Sequence, residues 1–219
     1  MATYAEAPRG IGLTPPFETE GHSKYTNQPI LILGGACSLG QYGTVEFPYQ
    51  LFTLIYLVAI QLANLSGFNP IITTASLKNS ELLSSLGATH VIERELPEAA
   101  LKEEVKKISN APLTYIFDAV SLKETQQTAY GLLAPGGTVA VVQQALVEAD
   151  ETSQKKVLVV YGTFHVPEVR KLGAKFARAL TKWLAEGKIK VCTVFQWRCW
   201  VADESVVCSL ILLKCYREV

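Results

Sequence analysis

The sequence has no excess charge of either sign: it carries 20 Lys and Arg against 20 Asp and Glu, a formal net charge of +0. Nucleic-acid binding and membrane-surface binding both need clustered positive charge, so the balance argues against both kinds of partner. The N-terminus lacks the apolar segment of a secretory signal. The longest apolar run, about 51–63, is shorter than the ~20 residues of a membrane span. We therefore expect a cytoplasmic protein with neither a nucleic-acid nor a membrane partner.

Paired cysteines are also missing. The five cysteines are Cys37, Cys192, Cys199, Cys208 and Cys215, and none forms a CxxC pair. The spacing matches no zinc site, so no metal is predicted. In a reducing compartment the thiols are expected to be free.

The chain does contain an alternation of short apolar runs with helical patterns. Strands are predicted at 29–33, 71–74, 90–92, 113–120, 138–142 and 156–162, and helices at 81–86, 97–108, 122–133 and 169–187. Continuously apolar runs separated by helices are typical of strands buried on both faces of a parallel sheet. The predicted fold class is α/β, a doubly wound parallel sheet of about six strands with ligands at the carboxyl ends of the strands.

The first strand runs directly into a glycine-rich turn. Its residues are Gly34, Gly35, Ala36, Cys37, Ser38, Leu39 and Gly40. Glycines allow a tight turn and a close approach of backbone to a pyrophosphate, while Gly40 allows close packing of a helix on the strand. The turn therefore predicts a dinucleotide phosphate site, and the alternative is a merely tight connection between strand and helix.

The second strand ends in Ser76-Leu77-Lys78. A site for NAD usually places Asp or Glu here to bind the ribose hydroxyls. A hydroxyl group and a cation suit a 2′-phosphate instead, so NADP(H) is favoured over NAD(H). The alternative for Lys78 is an ordinary surface lysine at the start of a helix.

Several segments together resemble a known family. They are GLTPPF (12–17), ILGGACSLGQY (32–42), AIQLANLSGFNPIITTAS (59–76), SLGATHVI (85–92), LAPGGTV (133–139) and YGTFHVP (161–167). They are similar to the cofactor-binding, Rossmann-like domain of the medium-chain dehydrogenase/reductase superfamily. The nearest branch is the fungal zinc-independent one, with trans-acting enoyl reductases and quinone-oxidoreductase-like proteins.

The resemblance implies a role for further residues. Residues 34–40 would hold the pyrophosphate, and Ser76 and Lys78 would meet the 2′-phosphate. Arg94 would contact the adenosine side, with a solvated surface charge as the alternative. Val120 and Ser121 would lie near the nicotinamide ribose, and Tyr161 and Gly162 would border the nicotinamide.

Three departures from the family divide the chain. Residues 1–28 form a short lead-in where relatives carry a GroES-like catalytic domain, so the substrate lobe is expected to be missing. Within the cofactor domain at 29–190, the apolar insertion 43–58 interrupts the family pattern. Its Pro48 would make the helix restart beyond it. We interpret the insertion as translated intron and the atypical tail 191–219 as readthrough or frameshift; a divergent strand and helix is the alternative for the tail.

The sequence thus predicts the NADP(H)-binding domain of an oxidoreductase that transfers hydride from NADPH to an activated C=C (enoyl) or carbonyl group. The substrate would be a small molecule, provided that a catalytic lobe is supplied. Whether this chain is itself an enzyme stays open. The alternative is a non-catalytic, truncated product that acts at most as a dimerisation or binding remnant. A homodimer would form through the sixth strand.

Overall fold

A computed structural model of the chain describes residues 4–5, 10–35, 50–160 and 167–190. The strands are β1 (Ile30–Leu33), β2 (Ile71–Ala75), β3 (His90–Glu93), β4 (Tyr115–Asp118), β5 (Thr138–Val141) and β6 (Lys156–Val159). The helices are α1 (Gln50–Leu65), α2 (Ser80–Ser85), α3 (Glu98–Ile108), α4 (Lys123–Leu132) and α5 (Pro167–Ala185). The alternation of strands and helices predicted from the sequence is confirmed.

The six strands form one sheet in the order β3-β2-β1-β4-β5-β6, and every pairing is parallel. This is the Rossmann-like, doubly wound arrangement, whose two halves diverge from a central pair of strands. Here the central pair is β1 and β4, aligned so that Leu33 lies beside Asp118. Ligands of such sheets bind outside the carboxyl ends of this pair.

The sheet is buried on both faces because alternate residues of each strand enter different cores. In β1, Ile30 and Ile32 belong to one apolar cluster, and Leu31 and Leu33 belong to another. The first cluster packs against α1, α2 and α5, and the second against α3 and α4. Two cores on opposite faces explain why the strands read as continuous apolar runs.

The predicted lead-in packs against the sheet domain in its described residues. Tyr25 stacks on Phe68 with ring centroids 4.5 Å apart, and Tyr25 Oη accepts a hydrogen bond of 2.8 Å from the Thr14 amide. Phe17 contacts the rings of Phe176 and Trp183 on α5. These residues therefore contribute to the same core as α1 and α5.

Two predicted elements differ in length from those observed. The strand predicted at 113–120 is shortened to Tyr115–Asp118, because residues 119–122 form a turn in which Ser121 has φ of 57°. The strand predicted at 156–162 is observed as Lys156–Val159. Val160 is described but lies outside the strand, and 161–162 lie outside the described residues. Helix α1 is described from Gln50 onward, and the restart expected beyond Pro48 falls at the boundary of residues that lie outside the described ranges.

Candidate functional site: the carboxyl edge of the sheet

The turn after β1 begins with two glycines that are held by β2. Gly34 has φ of +82°, a left-handed conformation that glycine adopts without strain. Its amide donates to Thr74 Oγ1 at 3.0 Å, and the Gly35 amide donates to the Thr74 carbonyl at 2.9 Å. A single threonine of the neighbouring strand thus fixes the exit direction of the chain from β1.

Gly35 is required by packing within the protein. A Cβ atom at this position would lie 2.1 Å from Thr73 Oγ1. The Thr73 hydroxyl cannot easily move, because it is buried and donates to the Ile32 carbonyl at 2.9 Å. The glycine that the sequence assigned to cofactor approach is therefore also needed for contact between β1 and β2.

The remainder of the predicted phosphate turn lies outside the described residues: Ala36, Cys37, Ser38, Leu39 and Gly40. The same holds for Tyr161 and Gly162, and for the tail 191–219. Of the insertion, 43–49 lie outside and 50–57 contribute the first part of α1. Val58 packs against the core cluster on the α1 side of the sheet. The roles assigned to these residues stay predictions.

The turn after β4 is organised by a fully buried carboxylate. Asp118 Oδ1 accepts hydrogen bonds of 2.9 Å from the amides of Val120 and Ser121, and Oδ2 accepts one of 2.7 Å from the Thr125 hydroxyl. Burial raises the pKa of the Asp118 carboxyl, and the three hydrogen bonds act in the opposite direction. The Ala119 amide donates to the Leu33 carbonyl at 3.1 Å, which sets this turn beside the glycine turn.

Ser121 lies at the predicted edge but uses its hydroxyl inside the protein. Ser121 Oγ donates to the Asp118 carbonyl and accepts from the Val142 amide, both at 2.9 Å. The residue is 2% exposed. It therefore joins the ends of β4 and β5, whereas the half-buried Val120 borders the crevice more openly.

A buried glutamine ties the loop after β5 to the same turn. The Gln126 amide nitrogen donates to the carbonyls of Ser121 and Gln144, and its oxygen accepts from the Leu146 amide at 2.8 Å. All three polar partners lie in the segments that follow the carboxyl ends of β4 and β5. The hydrogen bonds of Gln126 thus hold the loop after β5 against the turn that follows β4.

Ser76, Lys78 and Arg94 meet at one corner of this edge. Ala75 pairs with Glu93, so the residues that follow each strand are neighbours. The Lys78 side chain is exposed and has no ionic or hydrogen-bonding partner in the part of the chain that the structure describes. Arg94 is 48% exposed and pairs weakly with Glu95 at 3.6 Å. The corner therefore offers two accessible cations.

The sequence interpretation missed three kinds of residue in the site. Thr73 and Thr74 hold the glycine turn, Gln126 holds the loops, and Glu93 lies at the corner beside Arg94. A polar Thr-Thr pair inside an otherwise apolar buried strand was a usable signal, because buried hydroxyls need partners. Gln126 and Glu93 gave no such signal, because the Leu146 and Leu77 amides that they bind lie 20 and 16 positions away in the sequence.

Among the described residues, no three of His, Cys, Asp and Glu gather as metal ligands. No helix in the described ranges is long and apolar enough to cross a membrane.

The chain matches known proteins over most of its length. A family model described as zinc-binding dehydrogenase matches residues 55–180. The uncharacterized protein YNL134C of Saccharomyces cerevisiae is 31% identical over 184 residues, covering 74% of this chain and 44% of that protein. The trans-enoyl reductase FSL5 of Gibberella zeae is 33% identical over 109 residues, covering 50% of this chain and 25% of that protein.

A solved structure shares the fold at lower identity. The crystal structure of the CurK enoyl reductase superposes with a TM-score of 0.55 at 20% identity, covering 81% of this chain and 50% of that one. The chain thus spans between a quarter and a half of the length of these three proteins.

Proposed function

The chain belongs to the zinc-binding dehydrogenase family, and on that premise we propose that it is the NADP(H)-binding domain of an enoyl- or carbonyl-reducing oxidoreductase. When bound, the cofactor supplies hydride, and the protein supplies binding and orientation. The main support is the carboxyl edge of β1 and β4, where the glycine turn and the Asp118-held turn lie side by side. The substrate would be a small molecule with an activated double bond, bound against the nicotinamide by a catalytic lobe.

The residues present fit a dinucleotide. The left-handed Gly34 directs the backbone out of β1 at the point where such sheets bind pyrophosphate. Asp118 holds the Val120–Ser121 turn beneath the expected nicotinamide ribose. The hydrogen bonds of Gln126 fix the loop after β5. Because these groups are ordered by the protein itself, little further ordering is needed when the ligand binds.

The preference for NADP(H) is supported by the corner at the ends of β2 and β3. Position 76 carries a hydroxyl where an NAD site commonly has a carboxylate, and Lys78 and Arg94 are accessible cations. Cations stabilise a 2′-phosphate through charge-assisted hydrogen bonds. The proposal includes zinc-independent reduction, because the cysteine spacing predicts no zinc site. It also includes a cytoplasmic location, because free thiols suit a reducing compartment.

The test is a fluorescence titration of the purified full chain with NADPH and with NADH. We expect saturable binding that favours NADPH. Lys78→Ala should weaken NADPH binding about tenfold, the scale of one charge-assisted hydrogen bond, and leave NADH nearly unchanged. Lys106→Ala, which changes an exposed lysine of α3, is the matched control.

A folded protein that binds neither dinucleotide would contradict the proposal. That result would favour the non-catalytic product, acting at most as a dimerisation or binding remnant. Circular dichroism on the same sample establishes that the protein is folded, so a loss of binding is not confused with unfolding.

We also propose that two copies pair through β6. In the described part of the chain, β6 has a strand neighbour on one side only, namely β5. Its residues Val157–Val159 are half-buried. An edge strand with apolar side chains and outward-facing amides can add the same strand of a second copy.

A further inference from the structure

The turn after β2 is closed by a carboxylate that comes from β3. Glu93 Oε2 accepts a hydrogen bond of 3.3 Å from the Leu77 amide, and Glu93 Oε1 accepts one of 2.9 Å from the Arg94 amide. The carboxylate therefore spans the two strand ends at the corner that Ser76, Lys78 and Arg94 share. It is half-buried, as expected of a group that both packs and faces solvent.

This arrangement leaves the Ser76 hydroxyl free. A serine that precedes a helical turn usually accepts a hydrogen bond from an amide of that turn. Ser76 makes no such bond, and within the described ranges its hydroxyl has no other partner. Because Glu93 closes the turn instead, the Ser76 hydroxyl remains available for a ligand.

The same carboxylate places a negative charge at the corner that Lys78 and Arg94 share. A phosphate on the ribose 2′-oxygen would gain from Lys78 and Arg94 but would be repelled by Glu93. A ribose hydroxyl, by contrast, can donate to a carboxylate, as it does in sites that bind NAD. The charge of Glu93 thus acts against the phosphate and not against the hydroxyl.

We propose that Glu93 is a specificity-determining residue that limits the preference of this site for the 2′-phosphorylated dinucleotide. The inference rests on the proposed function, because it concerns the same cofactor site. Lys78 and Arg94 favour the 2′-phosphate, whereas Glu93 opposes it. Together these charges determine the ratio of the affinities for NADPH and NADH. Neutralising Glu93 moves that balance toward NADPH.

The test compares the dissociation constants of NADPH and NADH for the wild-type chain and for Glu93→Gln. We expect the preference for NADPH to increase by about three- to tenfold, the effect of one like charge at a partly solvated site. Titration with 2′,5′-ADP and with ADP repeats the comparison without the nicotinamide half. The matched control is Glu103→Gln, which neutralises an exposed carboxylate on α3.

The ratio of the dissociation constants of NADPH and NADH separates an effect of the Glu93 charge from a structural effect. Loosening the turn that carries Ser76 and Lys78 weakens the binding of NADPH more than that of NADH and lowers the preference for NADPH, whereas removing the charge of Glu93 raises that preference. Glu93→Thr is a second neutral variant, with a side chain suited to a strand end, for use should the glutamine variant fail to fold. It should change the ratio in the same direction.

The outcomes distinguish the two proposals. A wild-type chain that binds both dinucleotides, with the ratio unchanged in both neutral variants, overturns the role of Glu93 and leaves the proposed function standing. A folded wild-type chain that binds neither dinucleotide overturns the proposed function, and the role of Glu93 with it.

Discussion

Asp118 shows how one buried residue can organise the carboxyl edge of a sheet. It is fully buried at the end of β4, and its two carboxylate oxygens accept from two amides and one hydroxyl. Each of these donors lies in the turn that leads into α4 or in its first residues. Loss of the carboxylate would leave buried donors without partners, which costs more than the hydrogen bonds themselves contribute.

We expect Asp118→Ala to lower the free energy of unfolding by about 3 kcal/mol, the cost of leaving buried donors unpaired. Asp118→Asn should cost less, because its oxygen still accepts from the amides and its NH2 group can donate to Thr125. Urea denaturation of the three proteins measures the difference. Equal losses for the alanine and asparagine variants would contradict the role of the acceptor.

The raised pKa of Asp118 also predicts a pH dependence. Since the folded state holds the proton more tightly than the unfolded state, this group's contribution is fully present below the ordinary pKa of 3.8 and is lost as pH rises through the higher folded pKa. The wild type should therefore lose stability relative to Asp118→Asn as pH rises across that window. Urea denaturation in steps from about pH 4 to pH 7 measures it, and a constant difference would contradict it.

Gly35 gives a second prediction, because its missing Cβ makes room for Thr73. Gly35→Ala should destabilise the fold by about 1–3 kcal/mol, the usual cost of overpacking. Adding Thr73→Ala should recover part of that loss, since the atom 2.1 Å from the new Cβ is removed. Thermal unfolding of the two single variants and the double variant gives a double-mutant cycle. Strictly additive losses of stability would contradict a clash between the new Cβ and Thr73 Oγ1.

Gly131→Ala is the matched control for that cycle. Gly131 lies within α4, and its new Cβ would meet mainly the flexible end of Lys102, at 2.9 Å. Alanine is a better helix former than glycine, so this variant should keep or increase stability.

At the scale of elements, α1 is tied to the chain that follows α5. The buried Gln61 on α1 donates to the Lys190 carbonyl at 3.1 Å and accepts from the Lys190 amide at 2.6 Å. A side-chain amide that pairs with both backbone groups of one residue imitates a neighbouring strand. The end of the described chain is thereby held against the helix that follows the glycine turn.

Gln61→Ala should therefore lower the free energy of unfolding by about 2–3 kcal/mol, because both backbone groups of Lys190 lose their partner. Hydrogen exchange at the Lys190 amide should accelerate in the variant. Gln127→Ala, at an exposed position of α4, is the control and should change neither quantity. Unchanged hydrogen exchange at the Lys190 amide would contradict the role of the Gln61 side chain in holding Lys190.

At the scale of the whole molecule, β6 offers copies of the chain an edge that no strand of the described residues covers on the side away from β5. The amides of Lys156 and Val160 point toward β5 and donate to the carbonyls of Gly137, which directly precedes β5, and Val141. Because amide directions alternate along a strand, the Val157 amide points outward. An outward amide can be removed without breaking the ladder within the sheet.

We expect Val157→Pro to convert the proposed dimer to a monomer, since proline on an edge strand lacks the outward donor. Sedimentation equilibrium measures the change. Leu158→Pro, which removes an inward donor, should instead lower the melting temperature. A wild type that sediments as a monomer would contradict pairing through β6.

The alternating fold was predictable from the sequence because buried parallel strands are continuously apolar. The predicted bounds of β1, β3 and α3 differ from the observed bounds by one residue at most. The strand predicted at 113–120 was too long, because Val120 reads as a strand residue but lies within the turn that Asp118 holds. Local apolarity does not report a turn fixed by a side chain.

The sequence by itself determined the α/β class, the glycine turn and the polar residues that follow β2, because each depends on neighbours in the chain. Only the tertiary structure brought Glu93 beside Ser76, Gln126 beside the loop after β5, and Gln61 beside Lys190. These contacts join residues up to 129 positions apart. Their geometry comes from strand order and register, which a periodic pattern of apolar residues does not specify.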